Sequence, residues 1–95
     1  MKGNTIEEFL DDILTMGGPE KEFNYKGNPY MLETDRNWET DKIELIVFEC
    51  FGDENIIYKA IGDNYKELLD QFVDAKIFDG RTILEAHEDI EITFG

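Results

Sequence analysis

Ile43-Glu44-Leu45-Ile46-Val47-Phe48-Glu49-Cys50-Phe51 is the stretch whose reading decides the fold. Its β-branched and aromatic residues read as a strand. Its centre is apolar on both faces, which fits an internal strand of a sheet better than an edge. If this segment were helical, no other part of the architecture below would stand. Gly52-Asp53-Glu54-Asn55 turns the chain back into Ile56-Ile57-Tyr58-Lys59-Ala60-Ile61, a partner strand.

Upstream, Glu22 to Tyr25 and Tyr30 to Thr34 alternate as two shorter strands. Lys26-Gly27-Asn28-Pro29 joins them, with Gly and Asn tolerating the positive φ of a hairpin turn. Phe23 and Tyr25 share one strand face, as do Tyr30 and Leu32, so the hairpin is expected to turn an aromatic face inward. Asp35 to Lys42 then reads as a polar loop.

Helices flank these strands. Thr5 with Glu8 three residues on reads as a capping box. It opens a helix from Ile6 to Met16, with Ile6, Phe9, Leu10, Ile13 and Leu14 at helical spacing. Gly17-Gly18-Pro19 is a stop signal. Asn64 and Glu67 cap a second helix, Tyr65 to Val73, striped by Leu68, Leu69 and Phe72. Ile77-Phe78 leads into an Asp79-Gly80 turn, Thr82 and Glu85 box a short third helix, and Ile90 to Phe94 alternates as a last strand. The order α-β-β-β-β-α-α-β over residues 1–95 predicts one α+β domain. Four or five mainly antiparallel strands are expected to carry helices on one face. Leu10, Ile13, Leu45, Val47, Leu69 and Phe72 are the expected core.

Charge dominates the composition. Twenty-three Asp and Glu against nine Lys and Arg give a formal net charge of −14. Direct binding of nucleic acid needs a basic footprint, and an anionic membrane repels such a chain. With 41% hydrophobic residues, including seven Phe and four Tyr, the acids decorate a fold rather than replace one. No apolar run approaches a membrane span, and the N-terminus lacks the apolar core of a secretory signal. The lone Cys50 excludes an internal disulfide. A cytoplasmic setting follows as the expectation.

The residues quoted above resemble a group of short acidic α+β proteins of Gram-positive bacteria, their mobile elements and phages. The shared features are an aromatic hairpin of the form Phe-x-Tyr-x-Gly-x-x-Tyr (Phe23, Tyr25, Gly27, Tyr30), a following Trp (Trp38) and paired leucines (Leu68, Leu69). An Ile-x-Asp-Gly turn (Ile77, Asp79, Gly80) and a terminal Ile-Glu-Ile (Ile90, Glu91, Ile92) complete them. The chain departs from the group in a longer insert around Asp41 to Glu54. The resemblance implies a fold and a bacterial or phage setting, and it carries no catalytic residues across.

No enzymatic signature is legible. His87-Glu88-Asp89 offers metal-binding atoms but lacks further ligands at usable spacing. Oxygen side chains from Glu33 to Glu44 follow a calcium-loop register, yet Trp38 stands where the sharp turn needs Gly. Cys50 lies in an apolar run where a thiolate is disfavoured. With so many acids, carboxylate pairs arise by composition alone. The expectation is a protein that is not an enzyme, with no cofactor and no bound metal.

Rows of acid remain. Glu7, Glu8, Asp11 and Asp12 share the outward side of the first helix, and Glu67, Asp70 and Asp74 one flank of the second. A third cluster, Glu85, Glu88, Asp89 and Glu91, surrounds the short helix and last strand. Helical rise spaces such carboxylates about 4.5–6 Å apart, near the roughly 3.4 Å between phosphates along one duplex strand or twice that. Glu7, Glu8, Asp11, Asp12, Glu67, Asp70 and Asp74 are the candidate contact site for a basic partner, such as a nucleic-acid-binding enzyme inhibited by mimicry in the manner of anti-restriction or anti-CRISPR proteins. The alternative is an ordinary interaction module or a homodimer. In that reading Ile46 or Phe48 meets a second copy or lies under a loop.

Overall fold

The computed structural model describes residues 1–15 and 20–94. In chain order these form α1 (Ile6–Thr15), β1 (Lys21–Tyr25), β2 (Asn28–Asn37), β3 (Lys42–Glu49) and β4 (Ile56–Gly62). Then follow α2 (Tyr65–Asp74), α3 (Ile83–Ala86), a 3-10 turn (His87–Asp89) and β5 (Ile90–Phe94). The α+β reading and its element order hold. The expected Gly17-Gly18-Pro19 stop and the helical end at Met16 lie outside the described residues.

All neighbours in the sheet are antiparallel, in the order β4-β3-β2-β1-β5. The deciding stretch is internal, as its two apolar faces required. β5 returns from the far end of the chain to pair with β1, setting Phe23 against Ile92 and Tyr25 against Ile90. Beyond it Lys2 exchanges backbone hydrogen bonds with Ile90 and Ile92 at 3.0 and 2.8 Å, which blunts that sheet edge. Gly3 follows at φ +80, and a Cβ there would stand 2.5 Å from the Ile92 carbonyl oxygen.

One face of the sheet carries the core. Phe23, Tyr25, Leu32, Leu45, Val47 and Ile90 point to it, and the helices supply Phe9, Ile13, Leu68, Phe72, Ile83 and Ala86. Phe23 stacks on Tyr30 with ring centroids 5.6 Å apart, and Phe9 and Phe78 meet it in T-shaped contacts. Each such aromatic contributes on the order of 2–3 kcal/mol by leaving water. Of the expected core, Ile13, Leu45, Val47 and Phe72 are buried. Leu10 and Leu69 are only half-buried, because Phe9 with Ile13 and Leu68 with Phe72 face the sheet and turn them to the flank.

Three local expectations need correction. The hairpin turn is two residues long rather than four. Lys26 and Gly27 both take positive φ (51 and 82), and Asn28 and Pro29 already pair with β1. That conformation matches the right-handed twist of the flanking strands. The polar loop is also shorter. Asp35, Arg36 and Asn37 pair with Glu44, Ile43 and Lys42, so only Trp38 to Asp41 bridges β2 and β3. Ladder bonds and the Arg36–Asp41 ion pair at 2.9 Å override the weak strand preference of Asp and Asn. The α1 capping box, lastly, is half made. The Thr5 hydroxyl accepts from the Glu8 backbone N–H at 3.1 Å, but the Thr5 N–H donates to Asn4 instead of Glu8. At α3 the box between Thr82 and Glu85 is complete.

Candidate functional site

Helix α1 begins where Thr5 accepts an orphan N–H, and its apolar stripe fixes Phe9 and Ile13 against the sheet. The opposite side therefore faces solvent. Glu7, Glu8 and Asp11 are exposed there and have no ion pair among the described residues. Asp12 does not share that role. It leans to the sheet, where its carboxylate takes the buried Lys21 ammonium at 2.6 Å.

The second row is thinned as well. Asp70 is tied to Lys66 at 3.0 Å, and Glu67 accepts from the Asp63 backbone N–H at 2.8 Å beside the Asn64 cap. Asp74 remains exposed at the end of α2, without an ion pair among the described residues. Since α1 and α2 pack side by side, the free acids of both belong to one helical layer. Its densest part is the triplet Glu7, Glu8 and Asp11.

Elsewhere seven of the nine cations are already spoken for. Lys21, Lys26, Arg36, Lys42, Lys59, Lys66 and Arg81 each hold a different carboxylate. Most are exposed pairs worth little to stability, but they fix where positive charge lies. The surplus acid is left to act outward.

A polar knot that sequence reasoning missed closes one end of the sheet. The buried Tyr25 hydroxyl donates to Asp79 at 2.9 Å and accepts from Arg81 at 2.8 Å. Arg81 also holds Asp89 at 2.9 Å, and Lys26 reaches Asp79 at 3.0 Å. Asp79 and Gly80 take φ 55 and 79, and Phe78 and Arg81 exchange backbone hydrogen bonds around them. The Asp-Gly turn thus aims a carboxylate at the hairpin tyrosine. The only prior signal was the positive φ that such a pair accepts.

The Asp79 carboxyl is held below its ordinary range, first by the Lys26 hydrogen bond and then by that of Tyr25. A depressed carboxyl stabilises the fold above its unfolded value, and that contribution is lost as pH falls through the folded value. Tyr25→Phe is expected to raise the Asp79 titration midpoint, read by NMR of its side-chain carboxyl carbon. An unchanged midpoint would show that the hydroxyl bond contributes nothing to it.

Other candidate chemistry finds little geometry. The Glu33–Glu44 register is a hairpin, with Glu33 and Asp35 on β2 and Glu44 on β3, while Asn37 accepts from the Glu39 backbone N–H. Asp89 of the His87-Glu88-Asp89 run is bound to Arg81. No three of His, Cys, Asp and Glu converge as a metal site among the described residues. Burial, then Glu22, Glu54 and Glu33, push the Cys50 thiol up, away from the thiolate. No described helix is long and apolar enough to cross a membrane. No family model, curated protein or solved structure matches the chain.

Proposed function

We propose that this chain is a non-enzymatic binding protein whose acidic helical layer occupies a basic, nucleic-acid-binding site on another protein. The observation that carries the reading is the α1 triplet. Glu7, Glu8 and Asp11 stand exposed on one short helix with no ion pair among the described residues, while seven cations elsewhere are each engaged by another acid. Glu7 and Asp11 repel each other across one turn, a cost that folding alone does not require. Desolvated against Arg or Lys of a partner, the same carboxylates become favourable. Long-range attraction from a net charge of −14 adds a fast encounter.

Proteins retained on a duplex-DNA column provide the test pool. The chain is expected to capture members of that pool in low salt and to release them to a duplex oligonucleotide. Captured proteins should bind the triple variant Glu7→Lys/Glu8→Lys/Asp11→Lys at least about tenfold more weakly, a loss near 1.4 kcal/mol. Thermal stability should change far less than affinity, because the reversal exchanges the Glu7–Asp11 repulsion for one between two lysines and sets cations in the first turn of α1 while lowering the net charge. Affinity should also fall steeply with salt. A captured protein that holds duplex and this chain together, with salt-insensitive affinity, would overturn the reading.

A further inference from the structure

The sheet face opposite the helices has a pattern of its own. Antiparallel register sets Ile56, Phe48, Met31, Glu22 and Phe94 on one line that crosses all five strands. Four of those five side chains are apolar. Ile56 and Phe94 are 63% and 59% exposed, while Met31 and Phe48 are half-buried among their strand neighbours. At the usual strand spacing the line is about 19 Å long, the length of a helix of about 13 residues.

Acid borders this line on the same face. The next row is Glu33, Ile46 and Lys59, and the one after it Asp35, Glu44 and Ile61. Lys59 is the single cation in these rows, and Glu44 already holds it at 3.3 Å. A solvated sheet face is expected to be polar, whereas here apolar side chains stand on four of the five strands of one line. A second copy is a poor occupant. Two copies meeting face to face would bring two acid-bordered faces together, with −14 on both.

We propose that this open face docks a cationic amphipathic helix of a partner protein, its apolar side chains on the Phe48–Met31 line and its Lys or Arg against Glu22, Glu33 and Asp35. Such a helix supplies what the face lacks in both respects, apolar cover and positive charge. The face lies across the sheet from α1, so the inference stands apart from the acidic helical layer and does not rest on it.

The probe is a blocked peptide of about 14 residues with leucines along one helical face and lysines elsewhere. Methyl NMR of the labelled protein is expected to show saturable shifts at Met31, Ile46 and Ile61. A scrambled peptide of the same composition should bind at least about tenfold more weakly. Ile61→Ser and Glu33→Lys should each weaken the peptide severalfold. Both sites lie away from the core, and an unchanged thermal transition would confirm folding. The proposal is overturned if the scrambled peptide binds equally, if no open-face methyl shifts, or if the shifts fall on α1 instead. It is also overturned if sedimentation shows a dimer that Phe48→Ser abolishes, since the face would then belong to a second copy.

Discussion

Replacing Phe23 with alanine is expected to destabilise the fold by about 4 kcal/mol. The side chain is 1% exposed and sits where three parts of the chain meet. It stacks on Tyr30 of the adjoining strand, meets Phe9 of α1 in a T-shaped contact at 6.5 Å, and meets Phe78 of the segment after α2 at 6.2 Å. Truncation removes the transfer gain of a large ring and leaves a cavity that ladder bonds on both sides of β1 keep from collapsing. Three ring contacts of about 0.5–1.5 kcal/mol each disappear with it.

For a small acidic domain with a typical margin of roughly 5–15 kcal/mol, that loss brings the variant close to unfolding. Urea titration should show a lower midpoint at an unchanged slope. Added salt should recover part of the loss, because it screens the self-repulsion of a chain at −14. A loss below about 1 kcal/mol would mean that the aromatic cluster does not organise the core.

Local signals carried most of the fold. The strand expected over Ile43–Phe51, the caps at Asn64 and Thr82, and the alternation of the last strand depend on residues within a few positions of one another, and all are present, although β3 runs Lys42–Glu49 and leaves out Cys50 and Phe51. What was not legible depends on distant residues. Asp35 to Asn37 become strand because β3 offers a ladder, not because their own propensities ask for one. The place of β5 beside β1 is fixed by pairing of opposite ends of the chain. Tyr25 and Asp79, 54 positions apart, meet only once the sheet is assembled. Part of the candidate site was legible for the same reason. Helical spacing correctly placed Glu7, Glu8 and Asp11 outward, whereas the neutralisation of Asp12 needed knowledge of Lys21.

That lysine was readable in principle. Lys21 shares its parity with Phe23 and Tyr25, so a strand begun one residue earlier puts it on the aromatic face. There it is buried, with its ammonium 2.6 Å from Asp12 and 5.9 Å from the centre of the Phe9 ring. Taking an ammonium out of water costs several kcal/mol, and the Asp12 carboxylate offsets that cost at close range. Asp12→Ala is therefore expected to destabilise the protein by about 3 kcal/mol, the lower end for a broken buried pair because Asp12 keeps some contact with water. The double change Asp12→Leu/Lys21→Met should lose much less than Asp12→Ala alone, since apolar replacements remove the buried charge together with its partner. Chemical denaturation of the single and double variants measures both losses and yields their coupling. Equal losses would show that the ion pair is not what Asp12 contributes. A large loss at Asp12 separates it from its neighbours on α1, so charge reversal aimed at binding belongs at Glu7, Glu8 and Asp11 alone. Reversing Asp12 would place two cations at one buried point and report unfolding in the guise of lost affinity.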